Sequence, residues 1–199
     1  MLIEFSVSNF RSIKEEQTLS LEAESGNDIL VNNTFTPQDN SQLRLLKSAV
    51  VYGANASGKT NVIRAFHALH YFITHSVMFD EQNGIPCYEP YKLDDSSFQV
   101  PSSFEIQFIG TDFIRYRYSI SFKQYEILSE KLELYRNSKW FVLFNRRDTI
   151  ITFGEKYIQQ KDDLPKQILK CQLYLSYVGK SPHKQIRIIY QYFEDYVEI

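Results

Sequence analysis

Residues 53–60 are Gly-Ala-Asn-Ala-Ser-Gly-Lys-Thr, which matches the pattern G-x-x-x-x-G-K-[ST] at every specified position. This pattern constrains the fold more than any other segment, because it requires a strand before it and a helix after it. Gly53 and Gly58 permit the backbone angles that turn successive N–H groups toward a bound anion. A chain of this composition would contain such a match by accident roughly 0.002 times. The sequence therefore predicts a phosphate-binding loop.

The loop also predicts the ligand and the role of each polar side chain. Lys59 can stabilise the terminal phosphates of a nucleotide as a point charge, and the hydroxyl of Thr60 can hold Mg²⁺. The helix that follows would direct its positive N-terminal end at the same phosphates. We therefore expect ATP and Mg²⁺ as ligands. The residues predicted to bind ATP are Gly53, Ala54, Asn55, Ala56, Ser57, Gly58, Lys59, Thr60 and Asn61.

The segments on either side of the loop have patterns that suit it. Residues 45–52 are nearly all apolar, which is typical of a strand buried on both faces in a parallel sheet. We expect a mixed sheet built around Val50. Residues 60–77 carry one apolar stripe at helical spacing, which predicts an amphipathic helix. The stripe consists of Val62, Phe66, Leu69, Ile73 and Val77.

The rest of the chain is predicted to be mainly strands. Residues 2–8 and 18–23 alternate apolar and polar side chains, which predicts two half-buried strands paired as a hairpin. Residues 80–102 contain several prolines and predict an irregular segment. Residues 103–153 return to the strand pattern. We expect an antiparallel β subdomain there, within a single domain that spans residues 1–199.

The last segment is expected to be a helix. Ser181 can cap its N-terminus, and Pro182 suits the first helical position. The apolar stripe of this helix consists of Ile186, Ile189, Tyr190, Phe193 and Val197. Such a stripe needs apolar cover, so we expect it to pack on the sheet of its own domain or against a second half of the protein.

Composition and charge exclude several classes of protein. Hydrophobic residues make up 43% of the chain, which excludes an intrinsically disordered protein. Cys87 and Cys171 are far apart and lack C-x-x-C spacing, which excludes a disulfide scaffold or a zinc ribbon. The formal net charge of -2 does not support binding to nucleic acid, although a local basic surface stays open. No apolar run is long enough to cross a membrane, and we expect a cytoplasmic protein.

Several segments resemble one family of bacterial proteins. Residues 1–11, Met-Leu-Ile-Glu-Phe-Ser-Val-Ser-Asn-Phe-Arg, are similar to the start of the ABC-type AAA family ATPases. Residues 46–61 are similar to the hallmark loop region of that family, where Asn55 is typical. Residues 101–106, 115–118 and 173–176 provide further matches. These ATPases are relatives of the RecF, SMC and OLD groups, and several occur in abortive-infection and phage-defence systems.

The resemblance implies a fold and an activity. The fold would be α/β, a P-loop NTPase of ABC-ATPase head type (lobe I), with a mixed sheet, an antiparallel β subdomain and C-terminal helices. Two heads would close face to face around ATP, and its hydrolysis would drive a movement that acts on an effector protein or on nucleic acid. The resemblance covers only the front half of such proteins, because the Asp-Glu strand end and the Ser-Gly-rich signature of the family have no clear counterpart here.

Asp80 and Glu81 imitate the Asp-Glu end of a Walker B strand. They follow the apolar residues 77–79, as that motif requires. They also lie directly after the predicted helix, which leaves too little chain to return to a parallel sheet. We therefore expect a loop at the helix end, with a Walker B strand as the alternative.

The arginines outside the loop have alternative roles. Arg11 follows the first predicted strand, where related ATPases place a basic residue near the nucleotide, so the resemblance implies a contact with ATP. Arg115 and Arg117 share one strand face, and Arg146 and Arg147 follow another strand. We expect these four side chains to form solvated faces, and a surface that binds nucleic acid is the alternative.

Two functions from different classes remain open. The first is a module that binds Mg-ATP and hydrolyses it when completed by a second half, a partner subunit or a head-to-head homodimer, in phage defence or a DNA-related process. The alternative is a regulatory or structural subunit, or a remnant, that binds the nucleotide without hydrolysing it. A small P-loop kinase or GTPase comes third, because supporting motifs are missing. Apart from Lys59, no catalytic group is identified, so we expect weak turnover by the chain alone.

Overall fold

One antiparallel sheet of seven strands organises the molecule. The computed structural model describes residues 1–24, 32–37, 43–55, 57–154, 168–180 and 184–196. In chain order the strands are β1 (Leu2–Ser8), β2 (Gln17–Ser20), β3 (Thr34–Phe35), β4 (Leu45–Leu46), β5 (Ser102–Ile109), β6 (Arg115–Phe122), β7 (Ile127–Arg136), β8 (Lys139–Arg147) and β9 (Ile150–Phe153). The helices are α1 (Lys59–His75), α2 (Tyr174–Val178) and α3 (Lys184–Tyr196). The large sheet has the order β2-β1-β5-β6-β7-β8-β9, and β3 pairs with β4 separately.

The period-2 alternation of side chains explains the large sheet. β1 pairs with β2 on one side and with β5 on the other, where Phe5 lies opposite Ile106. Both of these side chains are buried on the same face. The predicted hairpin of the first two strands is confirmed, and so is the antiparallel meander over residues 103–153. Because β1 pairs directly with β5, the hairpin and the meander form one continuous sheet.

Two helices cover the buried face of this sheet. α1 packs through aromatic contacts such as the one between the Phe72 and Phe122 rings, whose centroids lie 5.0 Å apart. α3 packs beside it, and the Phe193 ring lies 5.2 Å from that of Phe108. The first of the two expectations for the C-terminal stripe is therefore confirmed: it packs on the sheet of its own domain. Ser181, Pro182 and Val197 lie outside the described residues.

The helix after the loop closely follows its prediction. A helix was expected over residues 60–77, and α1 covers Lys59–His75 before a 3-10 turn at Ser76–Met78. Its buried residues are Ala65, Leu69, Phe72 and Ile73. Of the predicted stripe, Leu69 and Ile73 are therefore buried, whereas Val62 and Phe66 are only partly buried and Val77 lies in the 3-10 turn. Within the described ranges, no helix combines the length and the apolar character that crossing a bilayer requires.

The segment before the loop is not the buried strand that its apolar sequence predicts. β4 covers only Leu45–Leu46 and pairs antiparallel with β3. Val50 is 84% exposed and Tyr52 is 91% exposed, so the strand expected over residues 45–52 is wrong beyond Leu46. Every strand pairing in the described part of the chain is antiparallel, so the mixed sheet around Val50 is wrong as well. A strand needs a neighbour for its N–H and C=O groups, and no described strand pairs with residues 48–52.

A buried ion pair joins two neighbouring strands. Arg146 on β8 and Glu130 on β7 are both fully buried, with 3.5 Å between Nη1 and Oε2. The solvated face expected for Arg146 is therefore wrong, whereas the next residue, Arg147, is exposed. The alternation of β8 places Arg146 on the covered face of the sheet, where only a partner makes a charge tolerable.

This ion pair also attaches the segment before α2 to the sheet. Glu130 accepts hydrogen bonds from the backbone N–H groups of Tyr174 and Leu175, at 2.6 and 2.8 Å, and from the hydroxyl of Tyr118 at 2.8 Å. The guanidinium of Arg146 donates to backbone carbonyls, those of Leu169, Lys170 and Gln172. Side chains 16 residues apart thus hold residues 168–180 in place.

Arg115 and Arg117 lie on the opposite face of the sheet and are half-buried. Arg117 forms an ion pair with Glu133 at 2.7 Å, and its guanidinium lies 4.4 Å from the centre of the Trp140 ring. Arg115 donates a hydrogen bond to Gln107 at 2.7 Å. Both arginines therefore have partners within the sheet, and they are less solvated than the sequence suggests.

Candidate functional site

The loop before α1 has the geometry of an anion site. Gly58 is the N-terminal cap of α1 and has a φ of 91°, in the left-handed region that glycine adopts readily. Among the described residues no side-chain hydrogen bond caps this helix end, and the first turn of α1 contains no acidic residue. A Cβ added at Gly58 would lie 3.2 Å from Oγ of Ser12. The positive end of α1 is therefore accessible to an anion, and no nearby carboxylate in its first turn repels one.

The side chain of Lys59 is held inside the loop by hydrogen bonds to other loop residues. Its Nζ donates to the carbonyl oxygens of Gly53 at 2.7 Å and Ala54 at 2.5 Å, and to Oγ of Ser57 at 3.4 Å. These contacts fold the side chain back across the loop, so that its charge lies beside the N-terminus of α1. A phosphate group that enters here would replace the loop carbonyls as the partner of this ammonium group.

The other predicted loop residues lie around this point. Asn55 and Thr60 are exposed, and Asn61 donates from Nδ2 to Oγ of Ser12 at 2.6 Å. That hydrogen bond connects the start of α1 to the turn after β1. Ala56 lies outside the described residues.

Two cavities meet at Gly58 and Lys59. The larger one, about 440 Å³, lies between the loop and the β1–β2 hairpin. It is lined by Ser12, Ile13, Lys14, Glu15, Gln17, Thr18, Leu19, Val51, Tyr52, Ser57, Gly58, Lys59 and Val62. The smaller one, about 380 Å³, is lined by Ser12, Ser57, Gly58, Lys59, Thr60, Asn61 and Arg64. We call the larger cavity the groove and the smaller one the Thr60 cavity.

The structure places Arg11 away from both cavities. Its Nη1 lies 2.8 Å from Oε2 of Glu89, and its backbone N–H donates to the carbonyl of the same residue at 2.7 Å. The described lining of the groove and of the Thr60 cavity does not include Arg11. Its contact with ATP stays a prediction. The next residue, Ser12, lines both cavities.

Sequence reasoning missed the residues that form the far wall of the groove. Lys14, Gln17 and Thr18 come from the hairpin, and Tyr52 comes from the exposed segment before the loop. The available signal was the polar segment between the two predicted strands, directly after Arg11. Only the folded hairpin brings this segment beside a loop forty residues further along the chain.

Asp80 and Glu81 lie at the opposite end of α1 from the loop. Oδ1 of Asp80 accepts hydrogen bonds from the backbone N–H groups of Gln82 and Asn83, at 2.9 and 2.8 Å. These bonds, first of all the one from Asn83, lower the pKa of Asp80. The expected loop at the helix end is confirmed. A helix of 17 residues is about 25 Å long, which separates this turn from the phosphate-binding loop.

Comparison with known families shows to which family this chain belongs. A family model described as "AAA domain, putative AbiEii toxin, Type IV TA system" matches residues 48–159, which is more than half of the chain. The chain belongs to this AAA family. The match extends from the segment before the loop through α1 and the β5–β9 meander, which are the elements described above. No curated protein matches the chain.

Membership of the AAA family indicates what kind of ligand the loop binds. An AAA domain is a P-loop NTPase domain, so this chain is a nucleotide-binding, ATPase-like module of the abortive-infection type. Proteins with this loop bind a nucleotide, usually with Mg²⁺. The AAA module here has an α/β fold in which α1 follows the loop, as it does in P-loop proteins generally, and its described strands form antiparallel pairs.

Proposed function

We propose that this AAA module binds Mg-ATP, with the phosphates at residues 53–60 and the nucleoside in the groove. The observation that carries the proposal is the junction of the two cavities at Gly58 and Lys59. At this junction the positive end of α1 and the Lys59 ammonium group point to one place, which suits a polyphosphate. The size of the groove, about 440 Å³, lies within the usual range for ligand pockets.

The residues around the junction suit different parts of the ligand. Lys59 would exchange its contacts with the loop carbonyls for the β and γ phosphates. The exposed hydroxyl of Thr60 would hold Mg²⁺, which neutralises charge on the phosphates when it is bound. Ile13, Leu19 and Val62 give the groove apolar surface on which a base can rest.

Hydrolysis is proposed to require a polypeptide segment in addition to the described residues. The Thr60 cavity has no carboxylate in its described lining, and Glu15 lies on the hairpin side of the groove. The exposed residues 50–52 support the same proposal, because an exposed apolar segment without a pairing strand is suited to pairing with an added one. A second half, a partner subunit or a second AAA head in an ABC-type dimer would supply both the strand and the catalytic group.

The family supports a setting for this activity. The description of the matched family refers to a toxin of a type IV toxin–antitoxin system. The proposed setting is antiviral defence in the cytoplasm, where closure on ATP would act on an effector protein. Nucleic acid is a weaker partner, because the net charge is -2 and Arg115 and Arg117 already have partners.

A second candidate is a regulatory subunit that binds ATP without hydrolysing it. The observation in its favour is the same lack of a carboxylate in the described lining of the Thr60 cavity. The two candidates share the binding step and differ only in turnover after completion by another polypeptide.

Lys59→Ala is expected to weaken the binding of Mg-ATP by about tenfold to a hundredfold, because the variant loses a charge-assisted contact to phosphate. Isothermal titration calorimetry of the parent chain and the variant measures this. Lys139→Ala removes the same charge from an exposed position on β8 and should bind as the parent does. Equal affinity of the parent and Lys59→Ala would contradict the proposed site.

A further inference from the structure

The turn after β1, residues 9–14, forms one wall of the groove. Ser12, Ile13 and Lys14 line the groove from this turn. On its inner side the turn is tied to α1 by the hydrogen bond between Asn61 and Ser12. Its outer side contacts residues 89–102, which do not line the groove at all.

Asn9 makes four hydrogen bonds between this turn and residues 89–102. Its Nδ2 donates to the backbone carbonyls of Ser97 and Val100, both at 2.8 Å. Its Oδ1 accepts from the backbone N–H of Tyr91 at 3.0 Å, and its own carbonyl accepts from Oγ of Ser102 at 2.6 Å. One side chain therefore uses both of its donors and its acceptor on backbone groups more than eighty residues away.

The conformation of Asn9 ties these contacts to the shape of the turn. Its φ is 48°, in the left-handed region, and the residue is only 4% exposed. Asparagine is one of the few residues that adopt this conformation readily. Its backbone N–H donates to the carbonyl of Lys14 at 3.1 Å and so closes the turn. The same residue thus closes the turn and anchors it.

Two ion pairs at the surface also connect the turn to residues 89–102. Arg11 pairs with Glu89 at 2.8 Å, and Lys14 pairs with Asp94 at 2.7 Å. The latter pair lowers the pKa of Asp94 and raises that of Lys14. These pairs are partly exposed, so each adds little by itself. The main connection is the buried amide of Asn9, together with the backbone hydrogen bond from Arg11 to Glu89.

We propose that Asn9 is a positioning residue for nucleotide binding: through the turn of residues 9–14 it holds the groove wall that contacts the nucleoside. The inference rests on the proposed function, since it assumes that the nucleoside lies in the groove. Asn9 reaches the ligand only through Ser12, Ile13 and Lys14. Residues 89–102 therefore form part of the binding site although none of them lines it.

The inference separates two halves of the ligand. The phosphates are bound by Lys59 and the N-terminus of α1, which Asn9 does not contact. The nucleoside is bound by the groove wall, which Asn9 holds. Ser12 also lines the Thr60 cavity, but its hydrogen bond with Asn61 holds it against α1. Displacing the rest of the wall should therefore weaken binding of ATP and leave binding of inorganic tripolyphosphate nearly unchanged. A general loss of folding would weaken both equally.

The test compares Mg-ATP with Mg-tripolyphosphate for the parent chain and two variants. Asn9→Gly keeps the left-handed backbone and removes every side-chain hydrogen bond. Asn9→Asp keeps the shape and places a carboxylate against two carbonyl oxygens. For both we expect about tenfold weaker binding of ATP and a change of less than about twofold for tripolyphosphate. Asn83→Gly, the same substitution in the turn beyond the other end of α1, should change neither affinity.

Thermal melting of each variant shows whether it is folded at the assay temperature. Where neither Asn9 variant is folded, Ser102→Ala takes their place, because it removes only the donor to the Asn9 carbonyl, and about threefold weaker binding of ATP alone is expected. Equal loss of both ligands by the folded variants, or unchanged ATP binding, would overturn the inference. If the parent chain binds tripolyphosphate as tightly as ATP, only the inference about Asn9 is overturned. If the parent chain binds neither ligand, the proposed function is overturned as well.

Discussion

A chain of these 199 residues is expected to bind ATP and to hydrolyse it on the order of 10³-fold or more below an ATPase with a complete charge clamp. Binding needs the loop, Lys59 and Thr60, which are in place. Turnover also needs a carboxylate that positions the attacking water and a second group that stabilises charge on the γ phosphate. The described lining of the Thr60 cavity provides no carboxylate. Asp80 and Glu81 lie about 25 Å away, at the far end of α1.

Steady-state release of phosphate from ATP measures this, and Lys59→Ala sets the background. Glu81→Gln and Glu15→Gln are the informative variants, because Glu81 ends the Asp-Glu pair and Glu15 lines the groove. Rapid turnover that disappears in either variant would show that the chain carries its own catalytic carboxylate. Turnover that appears only after addition of a further polypeptide would favour the completed AAA head over the regulatory subunit.

Arg146→Ala is expected to destabilise the fold by about 3 to 5 kcal/mol, because it leaves the carboxylate of Glu130 buried without a counter-ion. It also removes the donors to the backbone carbonyls that hold residues 168–180. Urea unfolding followed by circular dichroism measures the loss. Arg147→Ala is the matched control, since the adjacent arginine is exposed, and it should change stability by less than about 0.5 kcal/mol.

The loss in Arg146→Ala should depend on pH. Burial raises the pKa of Glu130, and Arg146 opposes that effect, so removing the arginine raises the pKa further. A carboxyl group whose folded pKa lies above its unfolded value stabilises the fold at low pH, and this contribution is lost as the pH rises through the folded pKa. The deficit should therefore be larger at about pH 7 than at about pH 5. The double variant with Glu130→Gln should recover part of the stability, and no recovery would contradict the coupling of the two side chains.

Patterns within the sequence were sufficient to predict the structure wherever it depends on residues that are close together in the chain. The loop, the amphipathic α1, the hairpin of β1 and β2 and the β5–β9 meander all follow from contiguous motifs or short periods. The ligand chemistry of Lys59 and Thr60 is predicted by the same motif of eight residues, and it stays a prediction. The polar wall of the groove did not follow, because Lys14 and Tyr52 approach each other only after folding.

The sequence by itself thus predicted a phosphate-binding loop, and it determined that an amphipathic helix follows this loop. The tertiary structure alone decided the environment of three other features. Residues 48–52 have the composition of a buried strand, but no described strand pairs with them, and Val50 is exposed. Arg146 is buried because the alternation of β8 directs it toward Glu130 and the segment before α2. Asn9 shapes the groove through partners more than eighty residues away. For Arg146 and Asn9 the deciding contacts are with residues distant in sequence, and for residues 48–52 the deciding fact is that no described strand pairs with them. No local pattern encodes either.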